Sequence, residues 1–384
     1  MPQSEQLFDS APIHPGKILR EMMAVKGWTQ DELAIITGIS RQTIYMILAG
    51  KSNVSAESAV RFAAAFGNSP EEWIKWDGLY RLSVLSEETD VTHVGSLAKL
   101  YDLAPVREMM KRGWIRPNLN PMELQRELEV FYESDSLDNG MRFPIAAKRT
   151  VTLDDLNPAE VAWCFRARQL AKTLLVPEFK PERMTKLYAE LKKLAAHPKE
   201  ARHAPTVLAE YGIRFLIVEP LPTAKIDGAA FWIEAGPVIA LSLRHDRMDG
   251  FWFTLMHECS HIRHGDPLSV DAELIDETKG IAVTLVESEA ERRANKEAAD
   301  SLVAKPEMDS FIRRVGPLYQ KARVIQFANR LRIHPSVIVG QLQYRRELTF
   351  GSMREMLVKV REYVTSTTLT DGWGHMIQVP QLGG

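Results

Sequence analysis

The sequence predicts a multidomain chain: an all-α amino-terminal domain, a helical middle region, and an α+β domain with a small sheet and a helical C-terminus. Three observations predict this organisation. At 384 residues the chain is long for one hydrophobic core. Helix caps and glycine stops recur at short intervals from residue 13 to about residue 82. Short apolar runs replace helical periodicity between residues 213 and 244, just before a histidine-rich segment.

The composition is that of an ordinary folded protein, with 45% hydrophobic residues, 26% charged residues and a net charge of -2. It excludes a disordered chain and a globally basic nucleic-acid binder, so any DNA-binding surface must be local. The two cysteines are too few for a disulfide framework. Because the sequence shows neither a signal-peptide pattern nor an apolar run of ~20 residues, we expect a soluble, cytoplasmic protein without membrane contact.

The first domain, residues 12–83, is predicted to contain five helices and a helix-turn-helix. In "TQDELAIITGISRQTIYMILAGK", Thr29 to Glu32 form a capping box, Gly38 ends one helix and Ser40 caps the next. The residues expected to form the core of this motif are Ala34, Ile39, Ile44 and Leu48.

The second helix of the motif is expected to enter the major groove of double-stranded operator DNA. The side chains predicted to project from its start, where Arg and Gln can read guanine and adenine edges, are Arg41, Gln42, Tyr45 and Met46. The predicted phosphate contacts are Thr29, Gln30, Thr43 and Lys51. Residues 1–80 carry seven Lys and Arg against nine Asp and Glu. This low charge favours either weak binding that dimerisation strengthens or a helical protein-interaction domain.

A resemblance adds to this interpretation. "PIHPGKILREMM", the motif above and "SPEEWIKWDGLYRL" together resemble the HigA-like antitoxins, a branch of the Xre helix-turn-helix regulators. The resemblance covers about residues 12–83. It implies a homodimer that represses its own operon and neutralises a toxin partner.

Residues 90–204 are predicted to be a helical connector or dimerisation region, with loops at "SDSLDNGMRFP" and "TLDDLNP". After them, "IRFLIVEPL", "GAAFWIEAG" and "PVIALSLR" predict three strands. The last of these strands is expected to be a sheet edge on which an extended substrate can pair.

The stretch "FWFTLMHECSHIRHG" contains the pattern HExxH. On a helix, His257 and His261 share a face and can bind one ion, and Glu258 beside it can accept a proton from a bound water. Asp249 is expected to cap this helix and Gly265 to end it. The alternative is a pair of structural histidines, because a five-residue pattern also arises by chance.

A catalytic zinc site requires a third protein ligand. In "VESEAERRANKEAADSLV", Glu291 and Asn295 share a predicted helix face with small residues that would allow close packing. We predict that Glu291 completes a site for one Zn²⁺ per chain and that Asn295 supports it in a second shell. Glu287 and Glu289 are the rival ligands.

The remaining histidines and the nearby cysteine have simpler interpretations. His264 is expected to face the carboxyl end of the metal helix rather than the metal. His245 and His334 are either structural or able to polarise a substrate carbonyl, and Cys259 is expected to fill space on a buried helix.

A second resemblance covers about residues 205–345. The run from Leu221 to Asp266, with "ERRANKEAADSLV" and "FANRLRIHPSVIVGQLQ", resembles the ImmA/IrrE family of bacterial zinc peptidases. It implies a zincin-like fold of the gluzincin type and a metallopeptidase with Glu258 as catalytic base. Lys296-Glu297 departs from the apolar character that usually follows Ala-Asn. Residues 346–384 remain as a C-terminal helix and loose tail.

Two hypotheses follow. The first is a DNA-binding transcriptional regulator with a zinc peptidase domain that cleaves itself or a partner regulator. The alternative is a HigA-like antitoxin and repressor that binds a toxin partner, in which the zinc domain is a sensor or structural module without turnover. Replacing Glu258 should discriminate between them.

Overall fold

A computed structural model describes residues 13–88, 91–137, 142–145, 149–152, 156–272 and 288–373. The chain divides into two compact units, residues 1–98 and residues 99–384. Across these described ranges, no helix is both long and apolar enough to cross a membrane.

The amino-terminal unit is helical, as predicted. Its helices are α1 (Pro15–Lys26), α2 (Gln30–Thr37), α3 (Arg41–Leu48), α4 (Ala56–Phe66) and α5 (Pro70–Glu88), and α6 (Val91–Leu103) crosses the boundary between the units. The capping box of Thr29 and Glu32 is present, and Ser40 accepts a hydrogen bond from the backbone of Thr43 to cap α3. Gly38 ends α2 with φ of 66°, a conformation that favours glycine.

The core of this unit differs in detail from the prediction. Ile39, Ile44 and Leu48 are buried as expected, but Ala34 is only partly buried. Leu33 and Ile47, which were not predicted, are fully buried in the same core cluster. The sequence alone does not fix this choice, because which side of a short helix faces inward depends on its packing against the neighbouring helices.

The second unit contains the other helices and the strands. Its helices are α7 (Val106–Lys111), α8 (Pro121–Phe131), α9 (Pro158–Ala171), α10 (Met184–Leu194), α11 (Ala204–Glu210), α12 (Met248–His264), α13 (Glu289–Leu302), α14 (Lys305–Val315), α15 (Lys321–Leu331), α16 (Pro335–Tyr344) and α17 (Arg361–Thr365). Its strands are β1 (Arg142–Ile145), β2 (Arg149–Thr152), β3 (Arg214–Ile217), β4 (Ile226–Ile233), β5 (Gly236–Leu241), β6 (Leu268–Ala272) and β7 (Leu369–Thr370).

The main sheet is mixed, in the order β6-β4-β5-β3-β7. The predicted edge strand, "PVIALS", is β5, and this prediction is wrong because β5 pairs with β4 on one side and with β3 on the other. Residues 237–241 are buried without alternation, which is the pattern of an interior strand. Within the described residues, β6 is the edge strand on the β4 side.

The sequence missed four short strands. β1 and β2 form an antiparallel hairpin in the middle region that was expected to be helical with loops. Pro144 within β1 argues against a strand when the sequence is read alone. β6 and β7 join the main sheet from segments on either side of the carboxyl-terminal helices, and β7 lies in the predicted loose tail.

Helix α12 occupies the centre of the second unit. It packs on β4 and β5 and also against α13 and α16, so it is buried on nearly every side. Gly265 ends it with φ of 70°, as predicted. Asp249 does not cap it: the residue lies in the first turn, where its carboxylate accepts a hydrogen bond from Arg247 at 2.7 Å and faces Ser336 of α16. These two partners draw the carboxylate away from the helix end.

Candidate metal centre and nucleic-acid interface

The two histidines of the HExxH pattern face each other on α12. His257 Nε2 lies 3.0 Å from His261 Nε2, and both side chains are buried. Glu291, in the first turn of α13, brings one oxygen to 3.2 Å from His257 Nε2 and the other to 3.5 Å from His261 Nε2. These three residues thus present ligand atoms to one point.

The spacing of these atoms fits a zinc ion. Ligand atoms at about 2.1 Å from a tetrahedral metal lie about 3.4 Å from one another. The three separations here, 3.0, 3.2 and 3.5 Å, are close to that value. Two imidazoles and one carboxylate are also a donor set that suits Zn²⁺.

Each imidazole is oriented by a hydrogen bond at its other nitrogen. His257 Nδ1 lies 3.0 Å from Asn295 Oδ1. His261 Nδ1 lies 2.8 Å from Asp266 Oδ2, which also accepts a hydrogen bond from Arg293 at 2.6 Å. With Nδ1–H donating in both rings, both Nε2 atoms would offer a lone pair to a bound metal ion.

Sequence reasoning missed Asp266 and the contribution of β6. Asp266 directly follows Gly265, which ends α12. Because the chain turns back toward His261 there, this position could have predicted a carboxylate partner for His261. Ser269 of β6 lies 3.2 Å from His261 Nε2 and donates a hydrogen bond to Glu291 Oε1 at 3.1 Å. The edge strand of the sheet therefore passes directly beside the candidate metal centre.

Glu258 is fully buried next to His257. Gly228 of β4 makes room for its carboxylate, because a methyl group at position 228 would lie 2.4 Å from Glu258 Oε1. Sequence reasoning did not single out Gly228, whose importance depends on how closely β4 and α12 pack.

Two of the other candidates in these segments, Glu289 and His264, lie apart from the triad. Glu289 is exposed at the first position of α13 and does not join the triad, while Glu287 lies outside the described residues. His264 contacts Glu297 at 2.8 Å between Nε2 and Oε1.

His334 and Cys259 are held in structural positions, whereas the two roles predicted for His245 stay predictions. His334 caps α16 by accepting a hydrogen bond from the backbone of Ser336, and burial lowers the pKa of its imidazole. His245 lies in the segment before α12, near Phe251 and Thr254. Cys259 is fully buried, and burial raises the pKa of its thiol, which makes it a poor nucleophile.

The small-residue face of α13 packs as predicted: Ala294, Ala298 and Leu302 are buried. Lys296 and Glu297 stand where apolar residues were expected after Ala294-Asn295. Both fit, because Lys296 is exposed and Glu297 accepts a hydrogen bond from Ser260 of α12 at 2.9 Å. Burial opposes ionisation of Glu297, but its hydrogen bonds with His264 and Ser260 outweigh it and lower the pKa of its carboxyl group.

In the amino-terminal unit, α3 presents most of its predicted DNA contacts to solvent. Arg41, Gln42 and Tyr45 are exposed at its start, and Lys51 is exposed just beyond its end. Arg41 Nε lies 3.0 Å from Asp31 Oδ1 in a solvent-exposed ion pair, which costs little to open.

The other predicted contacts are partly buried or already hydrogen-bonded within the unit. Met46 and Gln30 are half-buried. The hydroxyl of Thr29 donates to Glu32 at 2.8 Å, and that of Thr43 lies 2.8 Å from Ser40 Oγ. Both threonine hydroxyls therefore already take part in helix caps.

The fold of this unit shows the class of the domain, since the chain carries a helix-turn-helix DNA-binding domain. The family model described as Helix-turn-helix matches residues 19–73. The Virulence-associated protein A' of Dichelobacter nodosus is 32% identical over 78 residues, which cover 20% of this chain and 68% of that protein. The chain belongs to the family of that relative.

Solved structures show similar matches. An addiction module antidote protein of a HigA family from Coxiella burnetii is 30% identical, with a TM-score of 0.20 and coverage of 21% of this chain and 87% of its own. Antitoxin GraA is 30% identical, with a TM-score of 0.21 and coverage of 22% and 94%. A Pseudomonas aeruginosa protein in complex with its operator DNA is 28% identical, with a TM-score of 0.21 and coverage of 21% and 88%.

Proposed function

We propose that this protein is a DNA-binding transcriptional regulator whose second unit is a zinc-dependent peptidase. The observation that carries the peptidase proposal is the convergence of His257, His261 and Glu291 beside the buried carboxylate of Glu258. A zinc ion bound there would supply a Lewis acid and an activated water. Glu258 is placed to accept a proton and to return it to the leaving amine of a cleaved peptide bond.

The geometry favours an extended protein or peptide segment as the substrate. β6 is an edge strand, and its Ser269 contacts both His261 and Glu291. A segment that adds to the sheet along β6 would pass in front of the metal position. The substrate is either another segment of this chain or a partner regulator. The cleavage fragments distinguish the two, because they come either from this chain or from the partner.

The test is Glu258→Gln, which removes the base and keeps the shape of the side chain. We expect zinc content to stay at one per chain and cleavage of the chain or of co-expressed regulators to fall by at least about a hundredfold. Glu234→Gln, an exposed substitution in the turn between β4 and β5, is the matched control. Unchanged cleavage in Glu258→Gln would contradict the peptidase proposal.

For DNA, we propose that α3 enters the major groove of an operator near the gene of this protein, and that two copies of the chain bind together. The low charge of residues 1–80 makes a dimer necessary for tight binding. One similar solved structure holds its operator DNA, which supports the choice of ligand.

The corresponding test is the double substitution Arg41→Ala with Gln42→Ala. Loss of the two base contacts should weaken specific binding by on the order of a hundredfold at fixed salt, measured by fluorescence anisotropy on promoter fragments. Lys26→Ala, an exposed cation outside α2 and α3, is the control and should change binding only slightly. Equal loss in both variants would mean that α3 does not read the bases.

A second candidate function is that of an antitoxin and repressor that binds a toxin partner, with a non-catalytic zinc domain. Exposed apolar side chains on the amino-terminal unit favour a protein partner there: Val25 is 86% exposed and Ile35 is 83% exposed. This candidate predicts that Glu258→Gln leaves every phenotype intact, whereas Ile35→Asp abolishes partner capture.

A further inference from the structure

A cavity of about 390 Å³ lies between α12, α13 and α16 in the second unit, beside the candidate metal centre. Its size falls within the range of small-molecule pockets. Much of its wall is apolar or aromatic, with Phe253 from α12, Leu302 from α13, Val337 from α16, and Phe350 after α16. This wall suits the ring or acyl body of a small ligand.

The charged residues of the cavity are mostly cationic: five Lys and Arg side chains against two Asp. Three of the cations are already paired, Arg247 with Asp249, and both Lys305 and Arg345 with Asp309.

Arg292 and Lys296, one turn apart on α13, are exposed and form no ion pair with any residue that the structure describes. They supply positive charge for an anionic group at the solvent side of the cavity.

A buried amide adds a polar group to the wall. Gln341 of α16 is 6% exposed, and its Nε2 donates to the backbone oxygen of Ala299 at 2.9 Å. Its Oε1 is buried and has no hydrogen-bond partner among the described residues. A ligand N–H or O–H would satisfy this acceptor.

We propose that this cavity binds a small amphipathic anion, with an aromatic or acyl body, a hydrogen-bond donor, and a carboxylate, sulfonate or phosphate that faces Arg292 and Lys296. The site is separate from the residues that could hold the metal, none of which lines the cavity.

A ligand bound in the cavity would also change the affinity of the candidate metal centre for zinc. This consequence rests on the proposed zinc site. Asn295 lines the cavity and lies 3.0 Å from His257 Nδ1. Phe253 also lines it, with its ring centroid 6.2 Å from that of His257. Because both residues position His257, the anion and the zinc ion should alter each other's affinity by the same factor.

The experiment uses the full chain, stripped of metal, and two fluorescent probes. Anilinonaphthalene sulfonate has an aromatic body, an amine N–H and a sulfonate, and N-phenylnaphthylamine is the same molecule without the sulfonate. We expect the sulfonate probe to bind the cavity about three- to tenfold more tightly, the range expected for attraction to two exposed cations.

Two sets of variants locate the binding. Ala299→Trp places an indole at the cavity wall and should remove one binding site for both probes. Arg292→Ala with Lys296→Ala should weaken the sulfonate probe about three- to tenfold and leave the neutral probe unchanged. Arg313→Ala with Arg314→Ala, two exposed cations on α14, is the matched control and should change neither probe.

Unchanged probe binding in a folded Ala299→Trp protein would overturn the proposal, as would equal affinity of the two probes for the wild type. If Ala299→Trp does not fold, the Arg292 and Lys296 variant decides alone, because both side chains are exposed. Displacement of the probes by an extended peptide would assign the cavity to the substrate and also overturn it. Since metal is absent throughout, these outcomes do not depend on the zinc site, which is tested by its own metal titration.

Discussion

Helix α3, the proposed recognition helix, and helix α12, which carries the candidate metal centre, hold their predicted functional side chains in opposite environments. Arg41, Gln42 and Tyr45 of α3 point into solvent, with only an exposed ion pair to Asp31. On α12, His257 and Glu258 are fully buried and surrounded by side chains from other elements.

This difference implies two ways of building a site. The predicted DNA-binding surface forms once α2 and α3 pack together, because all of its predicted DNA contacts come from one short stretch of chain. The candidate metal centre requires α12, β6 and α13 to meet, with Gly228 of β4 leaving room for Glu258. Substitutions should therefore act locally in the first region and through partners in the second.

The largest expected effect is loss of a ligand that comes from a separate element. Glu291→Ala removes the carboxylate of α13, and zinc affinity should fall by at least about a hundredfold in a competition titration. Glu289→Ala, an exposed glutamate two residues earlier on the same helix, should retain one zinc per chain. Equal zinc binding by both variants would remove α13 from the metal centre.

A smaller effect is expected for a residue that orients a ligand. Asp266→Ala deprives His261 Nδ1 of its acceptor, so zinc affinity should fall by about ten- to a hundredfold. Asp266→Asn retains an acceptor oxygen and should recover part of the loss. If the asparagine variant is no better than the alanine variant, the hydrogen bond to His261 is not what Asp266 contributes.

The smallest effect tests the local character of α3. Ser40→Ala removes the helix cap and should destabilise α3 by about 1 kcal/mol, read as faster amide hydrogen exchange within that helix. Ser52→Ala, in the loop after α3, is the control. Zinc content should stay constant in both, and any loss of zinc in Ser40→Ala would show that the two regions are not independent.

The amino-terminal unit was largely predictable from the sequence because its signals are local. The capping box of Thr29 and Glu32, the cap at Ser40 and the stop at Gly38 act within one helical turn. The HExxH spacing likewise placed His257 and His261 on one face. The assignments that stayed open concern longer distances, such as which glutamate of α13 approaches these histidines.

Sheet order and site support could not be derived in the same way. Nothing local distinguishes an edge strand from an interior one with certainty, so β5 was misplaced and β6 was missed. Asp266, Ser269 and Gly228 acquire their roles only when distant segments meet.

Residue order was therefore sufficient for the helix-turn-helix, for the ends of its helices and for the pairing of two histidines on α12, because the interactions involved span only a few residues. Chain packing was required to bring Glu291 within 3.2 Å of His257, to place Ser269 beside His261 and Glu291, and to leave the cavity next to Asn295. The physical reason is that those distances depend on how helices and strands stack, a choice governed by burial of the whole apolar surface rather than by any one segment.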